Sequence, residues 1–155
     1  MTIRTAKKDD TGALLFLLSE VLRIHNDIRP DIFKSNGTKY SESELSDIIE
    51  SKNTPVFVVE NDTRVIGYCF TIIKEQEETA IFRYRKDLYI DDLCVEENFR
   101  TCGVGKSLYL YVEQYAKEIG CTSVTLNVWR GNDNAIKFYD KMGLIPRKTL
   151  LEKQI

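Results

Sequence analysis

The run Arg100-Thr101-Cys102-Gly103-Val104-Gly105-Lys106 has the residue types of an anion-binding turn. Its two glycines follow an apolar stretch, Leu88-Tyr89-Ile90-Asp91-Asp92-Leu93-Cys94-Val95. They precede a helical repeat carrying Leu108, Tyr111, Val112, Tyr115, Ala116 and Ile119. Glycine admits positive φ and lets a ligand approach the backbone without meeting a Cβ. A helix start leaves N–H groups without intrahelical partners and carries the positive end of the macrodipole. Strand, glycine turn and helix start together predict a site for a phosphate-sized anion. The spacing is neither G-x-x-x-x-G-K-[ST] nor a complete G-x-G-x-x-G, since Leu108 stands where a third glycine would fall. A diphosphate held outside the P-loop and Rossmann manners is the expectation. Taken alone, the two glycines also fit a plain βα bend.

A second constellation lies downstream, from Asn132 to Leu144. Asn132 or Asp133 can cap a short helix, Gly143 can end it, and Ala135, Ile136 and Tyr139 share one face. Arg-x-x-Gly-x-Gly followed by Asn-x-x-Ala-x-x-Phe-Tyr-x-Lys-x-Gly-Leu resembles the GNAT superfamily of acetyl-CoA-dependent N-acetyltransferases, over about Tyr89 to Leu144.

The resemblance implies an acetyl group moved from acetyl-CoA to a primary amine of a small molecule or peptide, by direct attack in a ternary complex. It implies that backbone N–H groups from Cys102 to Ser107 (Cys102, Gly103, Val104, Gly105, Lys106, Ser107) bind the pyrophosphate, with Arg100 and Thr101 shaping the loop. Main-chain groups of Leu93, Cys94 and Val95 would bond the pantetheine arm, and Asn132 the arm or the loop. An N–H of this strand would also stabilise the oxyanion. Tyr139 matches the tyrosine that points at the cofactor sulfur and protonates the departing thiolate.

Several family members place a basic glutamate where this chain has Asn127, which cannot take a proton. Asp91 is the replacement expected, because it lies nine residues before Arg100, where spermidine/spermine-type acetyltransferases carry a glutamate. On a regular strand Asp92 would point to the opposite face, where it pairs with a nearby Arg or Lys; it is also a candidate substrate contact. A carboxylate pair could raise one of the two pKa values toward the working range. His25, Asp27, Arg29, Asp31 and Phe33 fall in a helix-to-loop segment where the family places acceptor contacts; His25, Asp27 and Phe33 are the candidates there. An acyl-CoA-binding sensor without efficient turnover is the alternative. A flavodoxin-like nucleotide module is disfavoured by the Asn132–Leu144 segment. The resemblance also admits a homodimer.

Composition agrees with a single domain over residues 1–155: 43% hydrophobic and 30% charged residues argue against disorder. A net charge of −2 supplies no basic field for nucleic acid. Four cysteines without C-x-x-C spacing, and one histidine, argue against a metal. Cys69 and Cys94 read as buried thiols, and Cys102 as exposed. With neither signal peptide nor membrane-length apolar run, the expected location is the cytoplasm.

The elements needed to position these residues can be read in order. A strand at Thr2–Thr5 is followed by a helix with Leu14, Leu15, Leu17, Leu18, Val21 and Leu22. Another helix begins at the capping box Ser41-x-x-Glu44. Strands follow at Val56–Val59 and Val65–Ile73, then the segment Ala80–Arg85, the strand before the glycine turn, and its helix. Ser123–Trp129 and Ile145–Leu151 read as the last strands, with the Asn132 helix between them. This order predicts an α/β (α+β) GNAT fold, with a mixed, mostly antiparallel sheet of six to seven strands and helices on both faces.

Overall fold

Alternating side chains in Val56-Phe57-Val58-Val59 serve two cores, one on each face of a sheet. The computed structural model describes residues 1–155. Its elements are β1 (Thr2–Thr5), α1 (Thr11–Ile28), α2 (Glu42–Glu50), β2 (Val56–Asn61), β3 (Arg64–Gln76), β4 (Arg85–Val95), α3 (Val104–Glu118), β5 (Ser123–Leu126) and α4 (Asp133–Lys141). Strands β1 to β4 pair antiparallel in chain order, and β5 joins β4 in parallel. Val56, Val58, Val65, Tyr68, Phe70 and Cys94 pack beneath Leu14, Leu17, Leu18 and Val21 of α1 and Leu45 of α2. Phe57, Val59, Ile66, Cys69, Leu88 and Ile90 pack against Val104, Leu108, Tyr109, Val112 and Ala116 of α3 on the other face. The mixed sheet and the helices on both faces match the expectation.

Local signals account for the ends of the helices. Ser41 Oγ accepts from the Glu44 N–H while the Glu44 carboxylate accepts from the Ser41 N–H, as the capping box requires. Asn132 Oδ1 caps α4 by accepting from the Ala135 N–H at 3.3 Å. Beyond α4, Gly143 takes φ +84°, and the Leu144 N–H returns to the Tyr139 carbonyl.

Two expectations require correction. The sheet has five strands rather than six to seven, because Ile145–Leu151 forms no strand. Pro146 has no N–H to give a ladder. Arg147 of this segment pairs with Asp87 at 3.2 Å, and Glu152 just after it with Arg29 at 2.9 Å. The expected strand Ser123–Trp129 also stops at Leu126.

The other correction concerns β4, which is not regular. Its register against β3 passes from Phe70↔Asp92 to Thr71↔Ile90, so Asp91 is an extra residue in a β-bulge. Ile90 and Leu93 both face the α3 core. Asp91 and Asp92 between them therefore turn to the α1/α2 face together, where Tyr40 and Tyr68 bond them. Asp92 does not point away from Asp91.

Close approach of β3 to the end of β4 depends on Gly67. A Cβ built there would stand 2.9 Å from the Cys94 carbonyl oxygen, a backbone atom that cannot swing aside. Gly67→Ala is expected to cost about 1–3 kcal/mol, as overpacking does. Urea unfolding would measure it, and an unchanged midpoint would mean that the strands can part at no cost.

Candidate active site

The β4–α3 connection forms a cradle of free donors. Gly103 caps α3 at φ +83°, and Thr101 takes φ +65°, uncommon for a β-branched residue. Backbone N–H groups from Thr101 to Lys106 find no acceptor within the protein. The Ser107 N–H, expected to be part of the set, is engaged by the Gly103 carbonyl at 3.0 Å. Val104 buries its side chain in the core and so fixes the helix start, while Cys102, Lys106 and Ser107 are exposed. Arg100 Nε donates to the Val95 carbonyl at 2.8 Å, binding the loop to the end of β4. Successive free amides at a helix start suit a diphosphate.

Beside the cradle the sheet opens. Pairing of β4 with β5 ends at Ile90↔Leu126. Asp91 to Val95, including Leu93 and Cys94, continue past the end of β5. Their edge toward β5 carries no ladder, as a strand that receives a ligand's amide groups requires. Asn127, just after β5, donates to the Tyr89 hydroxyl at 3.1 Å.

The two aspartates lie at this opening in unlike surroundings. Asp91 accepts from Lys39 Nζ at 2.8 Å and from the Tyr40 hydroxyl at 3.1 Å. Asp92, whose side chain is only 8% exposed, accepts from the Tyr68 hydroxyl at 3.1 Å and lies 3.8 Å from Lys39 Nζ. Burial pushes the Asp92 carboxyl up to about 6, against the opposing pull of Lys39 and the Tyr68 bond. The Tyr139 phenol is also raised by burial, with further contributions from Cys69 and Asp92, so it keeps its proton at neutral pH. Cys69 and Cys94 are free, buried thiols, and burial pushes Cys94 up to about 12.

The helix-to-loop segment divides between two places. The His25 ring lies 4.9 Å from Phe33, which meets Trp129 edge-on at 5.3 Å. Burial and the nearby Lys39 charge lower the His25 pKa, keeping the imidazole neutral. Arg29 pairs with Asp31 and Glu152 and lies over Trp129, a structural use for both members of that pair. Asp27 instead lines a separate cleft of about 440 Å³ with Asn132, Asn134 and Lys137.

Lys39, Tyr40 and Tyr68 were not legible as site residues. Tyr68 left one trace, a hydroxyl within an apolar strand that must find a partner when buried. Lys39 left none, since its aspartate is 52 residues away.

Comparison with known proteins agrees with this geometry. The sequence pattern of the acetyltransferase (GNAT) family matches residues 19–144. An uncharacterized N-acetyltransferase encoded in the pepI 3′ region of Lactobacillus delbrueckii subsp. lactis is 25% identical over 114 residues, covering 74% of this chain. The chain spans 65% of that relative's length. A mutant form of the BH1408 protein of Bacillus halodurans superposes with a TM-score of 0.96 at 27% identity, over 100% of this chain and 99% of its own. The aminoglycoside N-acetyltransferase AAC(6′)-Iy, solved with CoA, shares the fold at a TM-score of 0.72 and 15% identity, over 99% of this chain and 93% of its own.

The Tyr68 bond to Asp92 stabilises the ionised carboxylate, so its removal has a definite sign. Tyr68→Phe is expected to raise the Asp92 pKa above about 6. Carbon-detected NMR titration of the labelled carboxyl would measure this, and a pKa that stays or falls would refute it. Stability should carry the same signature. Between the ordinary 3.8 and about 6 the folded chain keeps a proton that the unfolded chain has released. The Asp92 contribution to stability therefore declines as pH rises through that window.

Proposed function

Because this chain belongs to the acetyltransferase (GNAT) family, we propose that it moves an acetyl group from acetyl-CoA to a primary amine of a small molecule or peptide, by direct attack within a ternary complex. The observation that carries this reading is the unbroken run of free N–H groups from Thr101 to Lys106, at the end of a strand whose last residues have no β5 partner. An aminoglycoside acetyltransferase among the proteins of like fold favours a small-molecule amine.

In this reading the amides of residues 101–106 hold the pyrophosphate, assisted by the α3 dipole. The exposed edge of Leu93, Cys94 and Val95 holds the pantetheine arm. Arg100 keeps the two regions in register through its bond to the Val95 carbonyl. Bound acetyl-CoA supplies an activated thioester. The chain's task is to deliver a neutral amine, stabilise negative charge on the carbonyl oxygen and return a proton to the sulfur. Tyr139, protonated across the neutral range, suits the last of these.

Asp92 suits the proton-accepting role better than Asp91, the base expected from the sequence. A carboxylate with a pKa near 6 is ionised at neutral pH yet more basic than an ordinary one. Asp91 is held by Lys39 and Tyr40 and so serves to position the acceptor. His25, Phe33 and Trp129 form an aromatic wall on the acceptor side.

Thiol release from acetyl-CoA across a panel of polyamines, amino acids, aminoglycosides and peptides tests the activity. Affinity for acetyl-CoA without thiol release would instead identify a sensor, and no affinity at all would end this reading. Tyr139→Phe should lower kcat by roughly 10²–10⁴-fold, the usual contribution of a positioned acid or base. Asp92→Asn should remove the acidic limb of kcat/KM near pH 6, whereas Asp91→Asn should leave that limb in place. The reverse pattern would transfer the role to Asp91.

A further inference from the structure

One cation in this site does more than hold Asp91. Lys39 lies between α1 and α2, in a loop that contains Gly37 at φ +132°. Its side chain, still partly open to solvent, reaches the bulge of β4. Nζ lies 2.8 Å from Asp91 Oδ2 and 3.8 Å from Asp92 Oδ2, with the Tyr40 ring 5.5 Å away and His25 close enough to feel its charge. Lys39 is a primary alkylammonium resting on both carboxylates of the acceptor site.

Two other lysines form their pairs on the surface: Lys8, 58% exposed, with Glu50, and Lys117, 64% exposed, with Glu113. Such pairs contribute little and constrain little. Lys39 is 37% exposed, against 8% for Asp92. Its carboxylate partners sit on a bulged strand beside Tyr139, whose phenol feels the Asp92 charge.

We propose that Lys39 is an internal stand-in for the acceptor amine: its ammonium occupies the place of a primary alkylammonium substrate, is displaced by one, and is itself acetylated when none is present. This rests on the acetyltransferase reading above and names the acceptor class as a primary alkylamine that binds as its cation. In the self-reaction a C–N bond forms between Lys39 Nζ and the acetyl carbonyl carbon, and the C–S bond of acetyl-CoA breaks. The ammonium releases one proton through Asp92 to solvent before attack. The departing thiolate takes a proton from Tyr139, and the second proton, which leaves nitrogen as the amide forms, restores Tyr139. The products are N-acetyl-lysine, free CoA and one proton to solvent.

The occupied fraction sets the cost to a competing amine, because apparent affinity scales with the fraction of sites that are free. A site nine-tenths filled by Lys39 would weaken apparent acceptor binding about tenfold. Calorimetry with 1,5-diaminopentane on the full chain without cofactor reads this directly. Lys39→Met should bind about fivefold or more tightly than the unaltered chain, and Lys39→Arg should not. Acetyl-CoA added to the unaltered chain, followed by peptide mass mapping, should acetylate Lys39 ahead of Lys8, Lys106 and Lys117. The rate per molecule should not depend on protein concentration, and Tyr139→Phe should slow it.

Each failure has its own meaning. A chain that turns over free amines yet leaves Lys39 unmodified, with equal diamine affinity in Lys39→Met, overturns this proposal and spares the acetyltransferase reading. Loss of kcat in Lys39→Met with KM unchanged, restored by Lys39→Arg, also overturns it, because Lys39 would then merely hold Asp91 and Asp92 in their charged forms. A chain without affinity for acetyl-CoA overturns both.

Discussion

The site depends on one interruption of the backbone ladder. Strand β4 runs to Val95, but its parallel partner β5 ends opposite Ile90. Backbone N–H and C=O groups inside a protein require partners, and a sheet interior normally provides them from the next strand. Where β5 ends, the β4 edge from Asp91 to Val95 has no strand beside it on that side. The same strand then enters the turn at Arg100, and Arg100 Nε bonds back to the Val95 carbonyl. One strand thus presents main-chain groups along its edge and delivers the helix N-terminus at its end. The two features form one continuous surface because β4 and α3 are anchored in the same core by Ile90, Val95, Val104 and Leu108.

The bulge at Asp91 adds a chemical consequence to this geometry. It puts two carboxylates side by side on the face where α1 and α2 pack. The chain's other ion clusters behave differently. Asp10 sits against Arg4, with Arg4 also bonded to Glu60, and Asp87 is held by Arg85, Ser123 and Arg147. The Asp10 and Asp87 pKa values are lowered despite partial burial, since hydrogen bonds from cations and hydroxyls outweigh desolvation. Both clusters pin structure: one joins β1 to α1, the other joins β4 to β5 and the C-terminal segment. At Asp92 desolvation wins, and its pKa is the one carboxyl value resolved upward. An acid with raised pKa beside a sheet opening and a buried tyrosine indicates chemistry rather than stability.

Much of this was legible in the chain, for local reasons. Caps, glycine stops and alternation are short-range signals, so Ser41–Glu44, Gly143 and Val56–Val59 were read as they occur. The cradle was legible because a strand, two glycines and a helix are contiguous. What escaped depends on pairing between distant segments. No pattern in Leu88–Val95 marks Asp91 as the extra residue, because a bulge is a property of register against β3. Alternation across a regular strand therefore sent Asp92 to the wrong face. Ile145–Leu151 carries strand-like residues but has only a four-residue β5 to pair with, and Pro146 interrupts its donors. Its polar contacts are the Arg147 pair with Asp87 and, one residue beyond, the Glu152 pair with Arg29.

In the proposed reading the two halves of the site are built by different means, and this would bear on how an acceptor is chosen. The donor half is nearly continuous in sequence, from Leu93 to Lys106, with Tyr139 added by α4. Its contacts are mostly backbone, so side chains there can vary without changing what it binds. The acceptor half gathers His25 and Phe33 near the end of α1, Lys39 and Tyr40 from the next loop, the bulged aspartates and Trp129 after β5. Each of these contributes a side chain; Phe33, Lys39, Tyr40 and Trp129 stand on connections, His25 in the last turns of α1 and the aspartates on β4. Loops accept substitution with little effect on the core. Specificity for the amine can therefore change through residues 25–40 while the thioester side stays fixed. Asp92 is where the halves meet, since it belongs to the strand of the first and faces the loop of the second. Its burial is imposed by Tyr68 and the α1 packing, so a loop change alters what reaches the carboxylate more readily than its proton affinity.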